Sequence, residues 1–278
     1  MIVELFVIAC GTTLAVIGSQ TFWPVHNWWD FYIPIVLFLA GYLVGLFGIV
    51  WNTVDIIGRF LMLRKKPREK PSRVARFTMV HALKYIFNHA HIIYKIRGVN
   101  KIPKKEKFVL VCNHRSAFDS LLMSVSLAKY DIAFVTKQSN LKIPLGKRLI
   151  LNMGYVAIDR SDKLDSLEGM KLAAQEVSSG YCSMGIFPEG TRQVENRLGD
   201  FHEGVFNVAI RAKAPIVVMT TWGTDKIKKN YPFKLTKVRQ DVICTIPYDE
   251  YAGKTAKEVA DMVHDIMGEH LRYLAKRY

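Results

Sequence analysis

Two short segments of the chain contain the residue types that proton transfer beside an anion requires. The first runs from Asn113 to Asp119 and follows the apolar stretch 108–112, which predicts a buried strand. His114 would then emerge at the end of that strand, where the backbone turns. An imidazole can take up and return a proton near neutral pH, and an aspartate beside it can fix its tautomer and stabilise its charged form. The spacing therefore predicts that His114 and Asp119 form a base with its carboxylate partner.

Asp119 has a second interpretation, because a helix is predicted to begin near 118–120 and an aspartate there can accept free amide hydrogens of the first turn. The second segment, which runs from Phe187 to Arg192, favours the interpretation of Asp119 as the partner of His114. It follows a predicted strand at 184–187 and forms a tight turn in which Gly190 lets the backbone approach a ligand. Arg192 can then hold a phosphate through two parallel charge-assisted hydrogen bonds. A base and an anion cradle therefore occur in one chain.

These residues resemble the motifs of the glycerophospholipid acyltransferases, in particular the 1-acylglycerol-3-phosphate acyltransferases. The resemblance rests on Asn-His-x4-Asp at 113–119 and Phe-Pro-Glu-Gly-Thr-Arg at 187–192, which are highly specific as a pair. Two weaker blocks, at 154–160 and 214–218, agree in order and position. The similarity covers 98–221.

The resemblance implies an enzyme that transfers a fatty acyl group to the sn-2 hydroxyl of 1-acylglycerol 3-phosphate and so makes phosphatidic acid. His114 would remove the hydroxyl proton while the oxygen attacks an acyl thioester, and Asp119 would orient the imidazole, without an acyl-enzyme. The expected substrates are lysophosphatidic acid and either acyl-CoA or acyl-carrier protein, so a carrier protein is a candidate partner. No bound cofactor is expected. Transfer to another lysophospholipid or to glycerol 3-phosphate stays open, as does a non-catalytic protein that binds anionic membranes.

The resemblance also assigns residues around the acceptor phosphate. The predicted substrate-binding residues are Asn113, Arg115, Lys137, Arg160, Glu189, Gly190, Thr191 and Arg192. Asn113 can orient its loop or donate towards the developing oxyanion, and Glu189 can accept a hydrogen bond from the glycerol hydroxyl or hold Arg192. Lys137 can instead be a solvated surface residue, and Arg160 can instead pair with a neighbouring aspartate.

Other nucleophiles and metal ligands receive less support. Cys112 lies two positions before His114, so both side chains would share one strand face and a covalent route is geometrically open. The cysteines are scattered through apolar runs without a CxxC pair, which predicts reduced core residues: Cys10, Cys112, Cys182 and Cys244. The histidines at 81, 89 and 91 lack cysteine or acidic partners at ligand spacing, so no metal site is predicted.

The amino-terminal part predicts a membrane anchor. Residues 31–54 are 24 consecutive uncharged, mostly apolar positions. At about 1.5 Å per residue, such a helix can cross a hydrocarbon core of about 30 Å with some tilt. Residues 5–22 predict a second spanning helix rather than a cleaved signal peptide, because no Lys or Arg precedes them. The loop at 23–30 has no Lys or Arg whereas 59–73 has seven, so the positive-inside tendency puts the rest of the chain in the cytoplasm.

The predicted organisation is a membrane-anchoring hairpin at 1–58, a basic juxtamembrane linker with an amphipathic helix at 59–95, and a cytoplasmic acyltransferase domain at 96–278. The net charge of +15 suits a protein that works against an anionic membrane surface. No nucleic-acid-binding motif is visible, so nucleic acid is not an expected partner. The helix at 73–88 would pack on the core or lie on the bilayer through Phe77, Val80, His81, Lys84, Phe87 and the following His91.

The rest of the chain alternates strands with helices, which predicts an α/β fold with a mixed central sheet flanked by helices. Strands are predicted at 92–96, 108–112, 132–136, 155–158, 184–187 and 216–221, followed by a late pair at 234–239 and 241–246. Helices between or after them are predicted at 164–177, 204–212 and 255–275. In such a fold the loops at the strand ends converge on one site.

Overall fold

The computed structural model describes residues 27, 32–62, 70–159, 161–193 and 198–277 of the chain. The predicted spanning helix at 5–22, most of the loop at 23–30 and Arg160 lie outside these residues.

A mixed sheet of seven strands forms the centre of the described structure, in the order β1-β7-β6-β2-β5-β3-β4. Its strands are β1 (Ile92–Arg97), β2 (Val109–Cys112), β3 (Ile132–Lys137), β4 (Val156–Ile158), β5 (Ser183–Ile186), β6 (Ile216–Trp222) and β7 (Thr236–Ile246). Strands β2 to β6 are mutually parallel, whereas β7 runs antiparallel to β6, and β1 runs parallel to β7. The predicted fold class is confirmed.

The predicted late pair of strands is wrong, because β7 continues unbroken through the polar residues Arg239, Gln240 and Asp241. Its backbone pairs with β6 along this stretch, with Gln240 opposite Thr221. Asp241 accepts hydrogen bonds from Arg239 and from His270. Burial alone would raise the pKa of Asp241, but these two bonds outweigh it and lower the pKa. Backbone pairing with β6 and the contact with His270 thus keep within one strand polar residues that resemble a turn in the sequence.

Helices cover both faces of the sheet. They are α1 (Tyr32–Met62), α2 (Arg73–His89), α3 (Phe118–Ser126), α4 (Pro144–Asn152), α5 (Lys163–Ser178), α6 (Asn207–Ala212), α7 (Ile227–Asn230), α8 (Tyr248–Tyr251) and α9 (Ala256–Arg277). Alternate residues of β2 enter two different cores: Val109 and Val111 pack with α5 and α9, while Leu110 and Cys112 pack with α3. A strand buried on both faces reads as a continuous apolar run, which explains why its position was predictable.

Helix α1 contains residues 32–54 of the predicted apolar segment and extends eight residues past it, to Met62. By length and composition, its part from Leu39 to Arg59 could cross a membrane. Large apolar side chains are exposed along it, including Leu43, Val44, Phe47 and Trp51. Just past its middle the helix contacts the rest of the protein: Tyr85 Oη of α2 donates to the carbonyl oxygen of Ile49 at 3.5 Å.

Helix α2 forms where the sequence predicts it, but of the predicted set within the helix only Phe87 is buried in the core, and His91, which follows the helix, is buried as well. Its buried residues are Ala75, Arg76, Thr78, Met79, Ala82, Leu83 and Phe87. Phe77 is 63% exposed, and His81 and Lys84 are exposed as well. Small alanines and flexible methionine fit the close contact with the sheet better than the larger aromatic and charged side chains do.

Candidate active site

Two predicted segments meet at the carboxyl edge of the sheet. Strand β2 leads into the loop 113–117, and its neighbour β5 leads into the loop 187–193. The N–H of Gln193 donates to the carbonyl oxygen of His114 at 2.8 Å, which fastens one loop to the other. Because both strands are parallel and adjacent, their loops have to leave the sheet side by side.

The His114 side chain lies against Asp119, with 3.0 Å between Nδ1 and Oδ2. Asp119 is completely buried, and the same Oδ2 accepts the backbone N–H groups of Arg115 and Ser116 at 2.7 Å each. The capping residue at the start of α3 is Ala117, and no side chain makes a capping hydrogen bond to this helix. The alternative interpretation of Asp119 as a helix cap is therefore wrong, because its carboxylate serves the loop and the imidazole.

Thr224 completes the surroundings of this carboxylate and was missed from the sequence. Its hydroxyl donates to Asp119 Oδ1 at 2.5 Å, and the residue is fully buried. Thr224 follows β6, the other neighbour of β2, after a turn at Gly223 with φ 87°. A Cβ on Gly223 would lie 2.6 Å from the carbonyl oxygen of Lys237, so this turn needs glycine. The sequence signal that could have identified Thr224 is its position just after β6, a strand that ends at the same edge of the sheet as β2.

The imidazole of His114 also stacks on the ring of Phe187, with centroids 4.3 Å apart and planes 25° apart. Phe187 in turn stacks on Phe134 of the core at 6.0 Å. Space for that core ring comes from Gly185, where a Cβ would lie 2.3 Å from the Phe134 ring. The His114 side chain is 14% exposed, and its Nε2 has no hydrogen-bond partner within the described residues. Nε2 is therefore the nitrogen that can exchange a proton with a ligand.

Glu189 binds the backbone of two loops. It is 3% exposed, and its carboxylate accepts the N–H of His114 at 2.9 Å and the N–H of Gly199 at 3.2 Å. Burial raises the pKa of the Glu189 carboxyl, although the two N–H groups act in the opposite direction. Both oxygens are thus engaged with the protein, which favours a role in positioning His114 over either role predicted for Glu189, contact with the glycerol hydroxyl or with Arg192.

Two other predicted binding residues also point into the protein. The side-chain amide of Asn113 donates to the carbonyl oxygen of Thr221 at 3.1 Å and accepts its N–H at 2.8 Å, which favours the loop-orienting alternative. Arg115 Nε lies 3.2 Å from Asp225, and its guanidinium lies 5.1 Å from the centre of the Trp222 ring. These contacts hold the loop 113–117 against the end of β6.

Four further predicted phosphate ligands, Gly190, Thr191, Arg192 and Lys137, lie at or just after the carboxyl ends of β5 and β3. Gly190 adopts φ 67°, and a Cβ there would lie 2.7 Å from the ring of His202. Thr191 and Arg192 follow it and are exposed. Lys137 is exposed at the end of β3, where it adds to the lowering of the pKa of Asp159, an effect caused mainly by hydrogen bonds from Ser161.

Cys112 is a poor nucleophile in this environment. It is 1% exposed, and its thiol contacts the Thr221 hydroxyl at 3.4 Å and Asn113 Oδ1 at 3.6 Å. Burial raises the pKa of the Cys112 thiol well above its ordinary value, so the reactive thiolate is disfavoured. Over the described residues, no group of three or more His, Cys, Asp or Glu side chains could hold a metal ion.

Comparison with known proteins gives matches in sequence and in fold. Residues 93–222 match the family model described as Acyltransferase. The 1-acyl-sn-glycerol-3-phosphate acyltransferase of Cocos nucifera is 27% identical over 165 residues, which cover 59% of this chain and 53% of that protein. The alpha form of that enzyme from Homo sapiens is 26% identical over 197 residues, which cover 70% and 68%.

Among solved structures, the 1-acyl-sn-glycerophosphate (LPA) acyltransferase from Thermotoga maritima matches with a TM-score of 0.60 at 20% identity, over 85% of this chain and 94% of that chain. At this identity the likeness shows a shared fold. The chain spans about half of the length of the coconut protein and about two thirds of the human one. The matched segment contains both loops of the site and the strands that carry them, and over these residues the chain is similar to the acyltransferase family.

Proposed function

We propose that the chain transfers a fatty acyl group from an acyl thioester to the sn-2 hydroxyl of 1-acylglycerol 3-phosphate, giving phosphatidic acid. The observation that carries the proposal is the His114–Asp119 pair, in which Nδ1 is held at 3.0 Å and Nε2 is left for a ligand. The names of the relatives in coconut and human support the choice of acceptor. Coenzyme A and acyl-carrier protein are the two proposed carriers of the acyl group.

In the proposed reaction His114 acts as a general base. Its Nε2 removes the proton of the sn-2 hydroxyl while that oxygen attacks the thioester carbonyl carbon. The tetrahedral intermediate then collapses, the carbon–sulfur bond breaks, and the leaving thiolate receives the proton from the imidazolium. Asp119 stabilises the imidazolium between these two steps, because its negative charge lies against Nδ1. No acyl-enzyme forms, in agreement with the raised pKa of the Cys112 thiol.

The acceptor phosphate is proposed to lie at the rim of the site. Arg192 is exposed on the loop that is fastened to His114 through the next residue, Gln193, so a phosphate held by Arg192 lies close to the base. Thr191 supplies a hydroxyl beside it, and Lys137 and Arg160 are proposed to complete the cationic surroundings. Holding the phosphate converts the attack into a step within one complex, which lowers its entropic barrier.

The site is proposed to lie close to the bilayer surface. Helix α1 would anchor the chain in the membrane, and the catalytic residues would lie on the cytoplasmic side. The length and composition of α1 support the anchor, and the seven basic residues at 59–73 support the orientation and contact with anionic lipid headgroups. We expect protease added outside sealed, cytoplasmic-side-out vesicles to cleave within 63–73. Cleavage only after the vesicles are opened would contradict the orientation.

The base is tested by removing it. His114→Ala and Asp119→Asn should each lower kcat by about 10²- to 10⁴-fold, since general-base catalysis contributes that much. Turnover would be measured in detergent with labelled lysophosphatidic acid and a panel of acyl-CoA and acyl-carrier-protein thioesters. Cys112→Ala is the control and should retain most activity. Near-normal turnover in His114→Ala would refute the mechanism, and an acyl group trapped on Cys112 would replace it with a covalent one.

Thr224 is tested as a residue that positions Asp119. Thr224→Val keeps the shape but removes the hydroxyl that Asp119 accepts, and a hydrogen bond to a charged group contributes about 1.5–3 kcal/mol. We therefore expect kcat to fall about ten- to hundredfold with little change in the acceptor KM.

Two further variants separate this effect from general destabilisation. Thr224→Ser retains a hydroxyl and should recover much of the lost kcat. Thr220→Val is matched in chemistry and burial, but the Thr220 hydroxyl has no hydrogen-bond partner within the described residues, so kcat should hardly change. Equal losses in Thr224→Val and Thr220→Val would show that Asp119 does not depend on the Thr224 hydroxyl.

Arg192 is tested through acceptor preference. Arg192→Ala should raise the KM for lysophosphatidic acid, lower kcat, and shrink the preference for this acceptor over monoacylglycerol, which has no phosphate. Arg192→Lys should restore only part of the loss, because an ammonium keeps the charge but not the planar fork. Arg211→Ala removes an exposed arginine near the start of β6 and serves as the charge-matched control. An unchanged preference in Arg192→Ala, with activity lowered equally on both acceptors, would refute phosphate recognition by Arg192.

A further inference from the structure

A basic pocket lies at the edge of the sheet opposite the candidate active site. It is formed where β2, β3 and β5 begin and where α2 starts, and its volume is about 240 Å³. At about 30 Å³ per water molecule, this is room for about eight waters, or for a phosphate group on a small organic body. Its polar lining consists of Lys70, Arg73, Arg76, Lys107, Asp131 and Tyr181.

Cations outnumber carboxylates in this lining, where Asp131 is the single acidic residue. Asp131 already pairs with Arg76 Nε at 3.1 Å and with Lys107 Nζ at 3.5 Å. Lys70 lies over the ring of Tyr181, with Nζ 5.1 Å from its centre. For Lys70 and Arg73 the described part of the chain provides no acidic partner, so the pocket carries an uncompensated positive charge.

Arg76 supplies the pocket with a hydrogen-bond donor that the protein holds in place and shields from solvent. Its side chain is 10% exposed, and Nη1 donates to the carbonyl oxygen of Ile132 at 2.8 Å. Nη2 is buried and has no hydrogen-bond partner among the residues that the structure describes. A buried guanidinium that leaves one nitrogen unpaired has lost its water without a full replacement. Because Arg76 lines the pocket, its incompletely compensated charge favours an anion there.

The start of α2 adds to the same potential. This helix of 17 residues begins at Arg73, and its first turn contains no acidic residue. The Ser72 side chain accepts the N–H of Ala75 at 3.3 Å and so holds the first turn in place. Because the amino end of a helix carries partial positive charge, it favours an anion at the same place as the arginine and lysine side chains do.

We propose that this pocket binds a phosphate group, either free in solution as phosphate or a phosphomonoester, or on a lipid headgroup. Arg76 and Lys107 would share it with Arg73, so the ligand would join the start of α2 to the amino ends of β2 and β3. The pocket and the rim around Arg192 lie at opposite edges of the sheet, so a phosphate bound here is separate from the phosphate of the acceptor that is proposed to be acylated. Binding at this pocket does not require the proposed reaction.

The test measures thermal unfolding of the full chain in detergent as inorganic phosphate is added at constant ionic strength. The pocket variant is Arg73→Gln with Lys107→Gln; both side chains are at least partly exposed, so this protein should fold. The control variant is Lys104→Gln with Lys105→Gln, which removes the same charge from exposed positions of the loop before β2. We expect a saturable rise in the unfolding temperature of the wild type and the control, with at least tenfold weaker apparent affinity in the pocket variant.

A second arm distinguishes the two sources of the phosphate. The same three proteins are placed in phosphatidylcholine nanodiscs with or without a phosphomonoester lipid, and their unfolding temperatures are compared. Stabilisation that the pocket variant loses only in the lipid arm assigns the site to a headgroup, and loss in the phosphate arm assigns it to a soluble anion. The proposal is overturned if the pocket and control variants respond equally in both arms, or if the wild type responds in neither. Because the readout is stability, it stands apart from the outcome of the turnover experiments.

Discussion

The candidate site depends on keeping one buried carboxylate charged. Asp119 is completely removed from solvent, and an isolated carboxylate in such a place is strongly disfavoured. Four donors from two parts of the chain offset this cost: the His114 imidazole, the N–H groups of Arg115 and Ser116, and the Thr224 hydroxyl. Removing any donor leaves the charge less compensated, so the loops after β2 and β6 are held in place by the same interaction that orients the base.

The order of the strands brings these donors together. Strand β2 lies between β5 and β6, so its loop is flanked by the loops that follow both neighbours. From one side Glu189 accepts the N–H of His114, and from the other Thr221 pairs with the amide of Asn113. The proposed general base, His114, therefore lies at the centre of the sheet edge, where the loops after both neighbouring strands contribute to its position.

Much of this arrangement could be predicted from the sequence, because its elements leave periodic or local signals. Strand β2 is buried on both faces and appears as an unbroken apolar run. His114 and Asp119 follow this strand at a short, recognisable spacing. The unbroken course of β7 was not predictable, since Gln240 and Asp241 resemble a turn until their distant partners are known. Thr224 was missed for the same reason: its partner lies 105 residues away in the chain. The buried face of α2 also depends on the surface it meets rather than on its own pattern.

The stacking of His114 on Phe187 determines when the His114 side chain becomes ordered. The imidazole is held flat against a ring that itself rests on Phe134 in the core, and its Nδ1 is fixed at the carboxylate. Both side-chain torsions of the histidine are thereby set when the chain folds. The loss of rotamer entropy for the base occurs once, during folding, and does not recur with each substrate that arrives.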